Sequence, residues 1–189
     1  MTIALIILFI LVIAVVGCVL AQYNALVSLR NYIRESWSDV DVQLKRRYDL
    51  IPNLVSAVKG YATHEREVFE RVTELRNRCA ANNGPVADQS RDEVQLVDAL
   101  KQLYMVVENY PQLKADQNFL QLQNELVNTE NRIEAARRFY NGNVRDYRNK
   151  CETFPGNLIA NLFGFKAEGD FFNVPPSAKE VPNVDFATS

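Results

Sequence analysis

Histidine, cysteine, glycine and net charge are all scarce in this chain. One histidine and three cysteines in 189 residues leave little material for a metal centre. His64-Glu65-Arg66-Glu67 has the opening of a zinc-protease helix, but two imidazole ligands one turn apart cannot be built from one histidine. His64 therefore reads as a polar residue of the second helix. With seven glycines, none of them in a glycine-rich run, no phosphate-cradling loop is available. Basic residues number 21 and acidic residues 23, so the formal charge is −2 and the electrostatic footprint of a general nucleic-acid binder is missing. Asp39 and Asp41 fall on different faces of a helix and do not form a carboxylate pair for acid–base work. No catalytic, cofactor or metal site is proposed by any spacing, and a non-enzymatic protein without a cofactor is expected.

What is present is unevenly distributed. Ile3–Ala21 carries no charge, and the first charged side chain is Arg30. Nineteen helical residues reach roughly 28 Å, the hydrocarbon thickness of a bilayer. The expectation is a membrane anchor over residues 1–21. Two processing readings stand beside a retained helix. Val19-Leu20-Ala21 offers small residues for signal cleavage, but only Met1-Thr2 precede the apolar run where a basic region is needed. Val15-Val16-Gly17-Cys18 has the form of a lipobox, with Cys18 as the lipid-bearing residue, and lacks the same basic region. Arg30 and Arg34 follow the run and none precedes it, so the positive-inside rule favours a cytoplasmic C-terminal domain. Lys45-Arg46-Arg47 looks polybasic. On an unbroken helix it lies roughly 35–40 Å from the bilayer, several Debye lengths away, and reads as a solvated face.

Beyond the anchor, residues 22–165 show helical periodicity and no strand pattern. Leu26, Ile33, Trp37, Val40 and Leu44 continue the anchor as one long helix. Asp49-Leu50-Ile51-Pro52 is read as a break, with Asp49 as N-cap of a second helix that runs to about Ala81. Ser90 and Glu93 form a capping box for a third. The fourth, the longest, runs from near Asp116 to about Thr153, with apolar residues at nearly heptad spacing, as in a coiled coil. After Phe154-Pro155-Gly156 comes a short apolar segment, Asn157–Phe165. Residues 166–189 read as an extended tail, with Phe171 and Phe172 pinned and the end frayed. The fold class is all-α: an N-terminal transmembrane helix continuing into an antiparallel bundle of about four long helices, a short C-terminal helix and an extended tail.

Three blocks resemble the LemA family of bacterial membrane proteins. The first is Tyr23–Val27 with Trp37–Arg47 and Asp49–Val55. The second is Asn118–Leu126 with Thr129–Ile133 and Ala135–Asn141. The third is Phe154–Ala160 with Leu162–Phe165. The likeness covers about residues 22–186 in the family's order. It implies an N-terminal membrane helix, a helical bundle in the bacterial inner membrane, and no catalytic residues. Members look like accessory proteins, some linked to a membrane zinc metalloprotease, and a relative takes part in magnetosome membrane formation.

Two functions follow as expectations. One is a single-pass scaffold or adaptor of the bacterial envelope that forms homo-oligomers or assists another membrane protein, a metalloprotease among them. The other is a membrane-shaping protein that oligomerises and touches the lipid bilayer. For the second contact the candidates are Leu158, Ile159, Leu162, Phe163 and Phe165, lying in the interface with their apolar face down. Their bland alternative is to cap the open end of the bundle core. Cys79 and Cys151 fall at core positions and read as small buried hydrophobes rather than a disulfide.

Overall fold

A computed structural model describes residues 1–167 and 169–173. The extended-tail expectation for residues 174–189 lies outside the described residues. Among the described residues six helices follow one another: α1 (Thr2–Lys59), α2 (Arg66–Ala81), α3 (Val86–Glu108), α4 (Pro111–Lys114), α5 (Gln117–Glu152) and α6 (Gly156–Phe163). No strand occurs among the described residues. The all-α bundle with an N-terminal apolar helix is therefore the observed architecture. Among the described residues the chain divides into two units, Met1–Ser38 with 138–167 and 169, and Asp39–Arg137 with 170–173.

The largest departure from the sequence reading is in α1. The break expected at Asp49–Pro52 is absent, and the helix runs on to Lys59 with Pro52 inside it. Proline in a helix interior removes the bond to the carbonyl four residues back, at a cost of about 3 kcal/mol. Here the abandoned acceptor is Tyr48 O, and Arg76 Nε of α2 donates to it at 2.8 Å. Ile51, Leu54 and Val58, buried just beyond, repay the remainder through packing. The chain turns instead at Gly60, where the Tyr61 and Ala62 N–H groups donate to Val58 O at 3.0 and 2.9 Å. His64 thus sits exposed in a turn and not on a helix.

In the second unit, α1 buries Val40, Leu44, Ile51, Leu54 and Val58. From α2 come Phe69, Val72, Leu75 and Cys79; from α3, Leu96, Leu100, Leu103 and Val107; from α5, Phe119, Leu126 and Ile133. Such spacings of three, four and seven residues place one stripe of each helix inside. The helices α2 and α3 pack against each other. Asp116 caps α5, its Oδ1 accepting the Phe119 N–H at 2.9 Å. The capping box expected at Ser90 and Glu93 is not one. Helix α3 already begins at Val86, behind Pro85, so both residues are interior. Ser90 Oγ donates to Asn173 O, and Phe172 beside it is buried, which ties residues 171–173 to this unit.

In the first unit, every residue from Met1 to Cys18 is exposed. A helix apolar on all sides has no face to turn to water, and this one is long enough to cross a membrane. From Val19 onward α1 becomes one-sided. Leu26 packs with Tyr147, Cys151, Ile159 and Ala160, and Val19, Leu29, Ile33, Phe165 and Ala167 close around them. Trp37 meets Tyr140 with ring centroids 5.2 Å apart.

Candidate functional site

Helix α6 is held by two glycines of different kinds. Gly156 is buried where a β-carbon would stand 2.2 Å from Lys150 O, so the backbones of α5 and α6 can approach only with no side chain there. Gly164 ends α6 at φ 71°, in the left-handed region. The Phe165 N–H then closes back on Ala160 O at 2.8 Å and turns Phe165 toward α1.

The apolar side chains of α6 divide into two groups. Ile159 (7% exposed) and Ala160 enter the core with Leu26. Leu158 (58%), Leu162 (72%) and Phe163 (51%) remain at the surface, as does Phe154 (78%) in the preceding turn. Phe165 is half-buried. Tyr23 of α1 meets Phe163 edge-on at 5.0 Å and Phe165 at 5.5 Å, and the Arg30 guanidinium stands 5.3 Å over the Phe165 ring. Of the five segment residues singled out in the sequence, the structure thus brings Ile159, Phe163 and Phe165 against α1, Phe163 only along one edge, and leaves Leu158 and Leu162 outward.

The sequence reading missed a second cluster altogether. Arg47 was expected on a solvated face, yet it is fully buried, like Glu93. The reason is register: Val40, Leu44, Arg47 and Ile51 continue one helical stripe, so Arg47 faces inward whatever its charge. Its Nη1 donates to Glu130 Oε1 and Oε2 at 2.9 and 3.1 Å, and its Nη2 pairs with Glu93 Oε2. The Tyr48 hydroxyl donates to Glu93 Oε1. Burial drives the Tyr48 hydroxyl far above the ordinary phenol range, only partly opposed by Arg47. The cluster joins α1, α3 and α5 around one cation and two carboxylates. The remainder of the triplet behaves as expected: Lys45 pairs with Asp41 at 2.7 Å, and Arg46 is exposed.

Cys18 is exposed on α1, while Cys79 and Cys151 are buried free thiols. Burial raises both, Cys79 to about 11. Among the described residues no group of histidine, cysteine and carboxylate side chains is arranged to hold a metal ion.

The chain matches the LemA family over residues 36–186. Protein LemA of Metamycoplasma hominis is 29% identical over 169 residues, covering 88% of this chain and 74% of that protein. Magnetosome protein MamQ 2 of Paramagnetospirillum magneticum is 24% identical over 191 residues, covering 88% of this chain and 70% of that one. Magnetosome protein MamQ of Magnetospirillum gryphiswaldense is 23% identical over 188 residues, covering 86% and 69%.

Proposed function

Because the chain belongs to the LemA family, we propose that it is a non-enzymatic, membrane-anchored helical scaffold of the bacterial inner membrane. It would hold copies of itself, or another membrane protein, at the bilayer. The observation that carries this reading is α1. One helix contains an apolar stretch exposed on every side and, further along, buried core residues of both units. Anchor and framework are therefore the same element. The buried Arg47–Glu93–Glu130 cluster adds a fixed register among three helices, as a surface that presents constant geometry to a partner requires. A partner could be a membrane metalloprotease, and the cytoplasmic side is favoured by Arg30 and Arg34.

Crosslinking in native membranes, followed by size-exclusion of the detergent-solubilised full chain, tests the scaffold. The expected result is a self-associated species or a co-purifying membrane protein. A monomer alone, with no crosslinked species, would remove the scaffold reading. Relatives that carry the name of magnetosome proteins favour a second reading, membrane shaping by oligomers. Electron microscopy of cells overproducing the chain would then show altered membranes; unaltered shape argues against it.

A further inference from the structure

We propose that α6 is a second lipid contact, lying at the headgroup boundary of the membrane crossed by α1. The inference rests on the anchoring reading and adds to it a site and an occupant.

Height along α1 is the first argument. Val19 lies within the uncharged run, yet it closes around the same core as Ile159 and Ala160. Tyr23, on which Phe163 and Phe165 rest, is two residues past Ala21, about 3 Å along the axis. Leu26 is about 7–8 Å past it. An interfacial helix buries its apolar face about 5–10 Å into the headgroup and acyl boundary. The packing of α6 on residues 19–26 places it within that slab.

Composition is the second. No charged residue occurs from Thr153 to Phe165. Around the helix at about 100° per residue, Leu158, Leu162, Ile159, Phe163, Gly156 and Ala160 form one apolar arc, and Asn157 and Asn161 the polar remainder. The core of this unit uses only part of that arc. Leu158, Leu162 and Phe163 are surplus to it, and they sit where the exposed apolar surface of α1 ends. The bilayer that covers α1 extends over them without a break.

The third argument is the flanking chemistry. Tyr23, Phe163 and Phe165 make an aromatic group at the end of a membrane span, the usual level of an aromatic belt. Arg30, which stands over Phe165, is the first cation after the span and lies about 14 Å beyond Ala21, within reach of lipid phosphates.

The test uses the full chain in vesicles of phosphatidylcholine and phosphatidylglycerol. Trp37→Phe removes the sole tryptophan, and Phe163→Trp places a reporter on α6. Leu158→Trp supplies a second exposed position, which decides the matter if the first variant fails to fold. Flotation with the vesicles checks the anchor separately. Phosphatidylcholine brominated in its acyl chains is expected to quench the reporter roughly twofold, while aqueous acrylamide quenches it weakly. A floating chain whose reporters are open to acrylamide and indifferent to bromine overturns the proposal. So does shielding from both quenchers, which would mean that a second copy or another protein covers α6. A chain that does not float refutes the anchor itself, a different failure.

Discussion

Arg47 shows how a buried charge can be expensive alone and well tolerated in company. With its carboxylates it forms a charge-paired cluster; without them it would be a desolvated cation. Arg47→Ala leaves Glu93 buried without its cation and is expected to cost about 3–5 kcal/mol in thermal unfolding of the detergent-solubilised chain. Replacing the cluster together, Arg47→Met with Tyr48→Phe, Glu93→Leu and Glu130→Gln, is expected to recover most of that loss. If the combined variant is stable but no longer self-associates, the cluster sets a geometry the scaffold uses. If it is less stable than Arg47→Ala, the register argument fails. Little of this was legible beforehand. The stripe through Val40, Leu44 and Ile51 points Arg47 inward, but its neighbours Lys45 and Arg46 disguise it as part of a solvated triplet. Glu93 is hidden for another reason. One turn separates it from Ser90, which is the spacing of a capping box and equally that of two residues on a buried stripe, and its true partners, Arg47 and Tyr48, both come from α1.

At the scale of elements, α6 depends on how closely two backbones can meet. Gly156→Ala sets a methyl group against Lys150 O, where nothing flexible can yield. It is expected to displace α6 from Leu26 and Tyr147 and to cost about 1–3 kcal/mol, as overpacking does. Hydrogen exchange would show it as faster exchange over 156–165 while α2 and α3 keep their protection; unchanged exchange over 156–165 would contradict the close-approach argument. The apolar content of this segment was plain in the sequence. Its division into buried Ile159 and exposed Leu158, Leu162 and Phe163 was not, because that division is made by α1. The same limit explains Pro52. Local rules stop a helix before proline, and the donor that permits continuation lies on α2.

For the whole molecule, burial of titratable groups sets an alkaline limit. Desolvation raises Cys79 to about 11, and raises the Tyr48 and Tyr104 hydroxyls as well. In the unfolded chain these groups release their protons at ordinary values. Above about pH 9 the folded state therefore holds more protons than the unfolded one, and stability falls as pH rises. For Cys79 the contribution is whole below about 9 and is lost by about 11. Melting temperature measured across this range is expected to decline, and Cys79→Ala to flatten the early part of the decline. A flat wild-type profile would mean that the thiol is not held in an apolar site. The all-α class and α5 were legible, because long amphipathic periods survive without tertiary knowledge.

The bond from Arg76 to the carbonyl beneath Pro52 makes two distant positions depend on each other. A proline there strips its own helix of a partner and leaves a lone acceptor facing α2. Arginine at 76 is useful because that acceptor is vacant, and the proline is tolerable because the arginine arrives. Were residue 52 to regain an amide hydrogen, the guanidinium would have to share its target. The two positions are thus energetically coupled across two helices, and substitutions at 52 and 76 are expected to be non-additive.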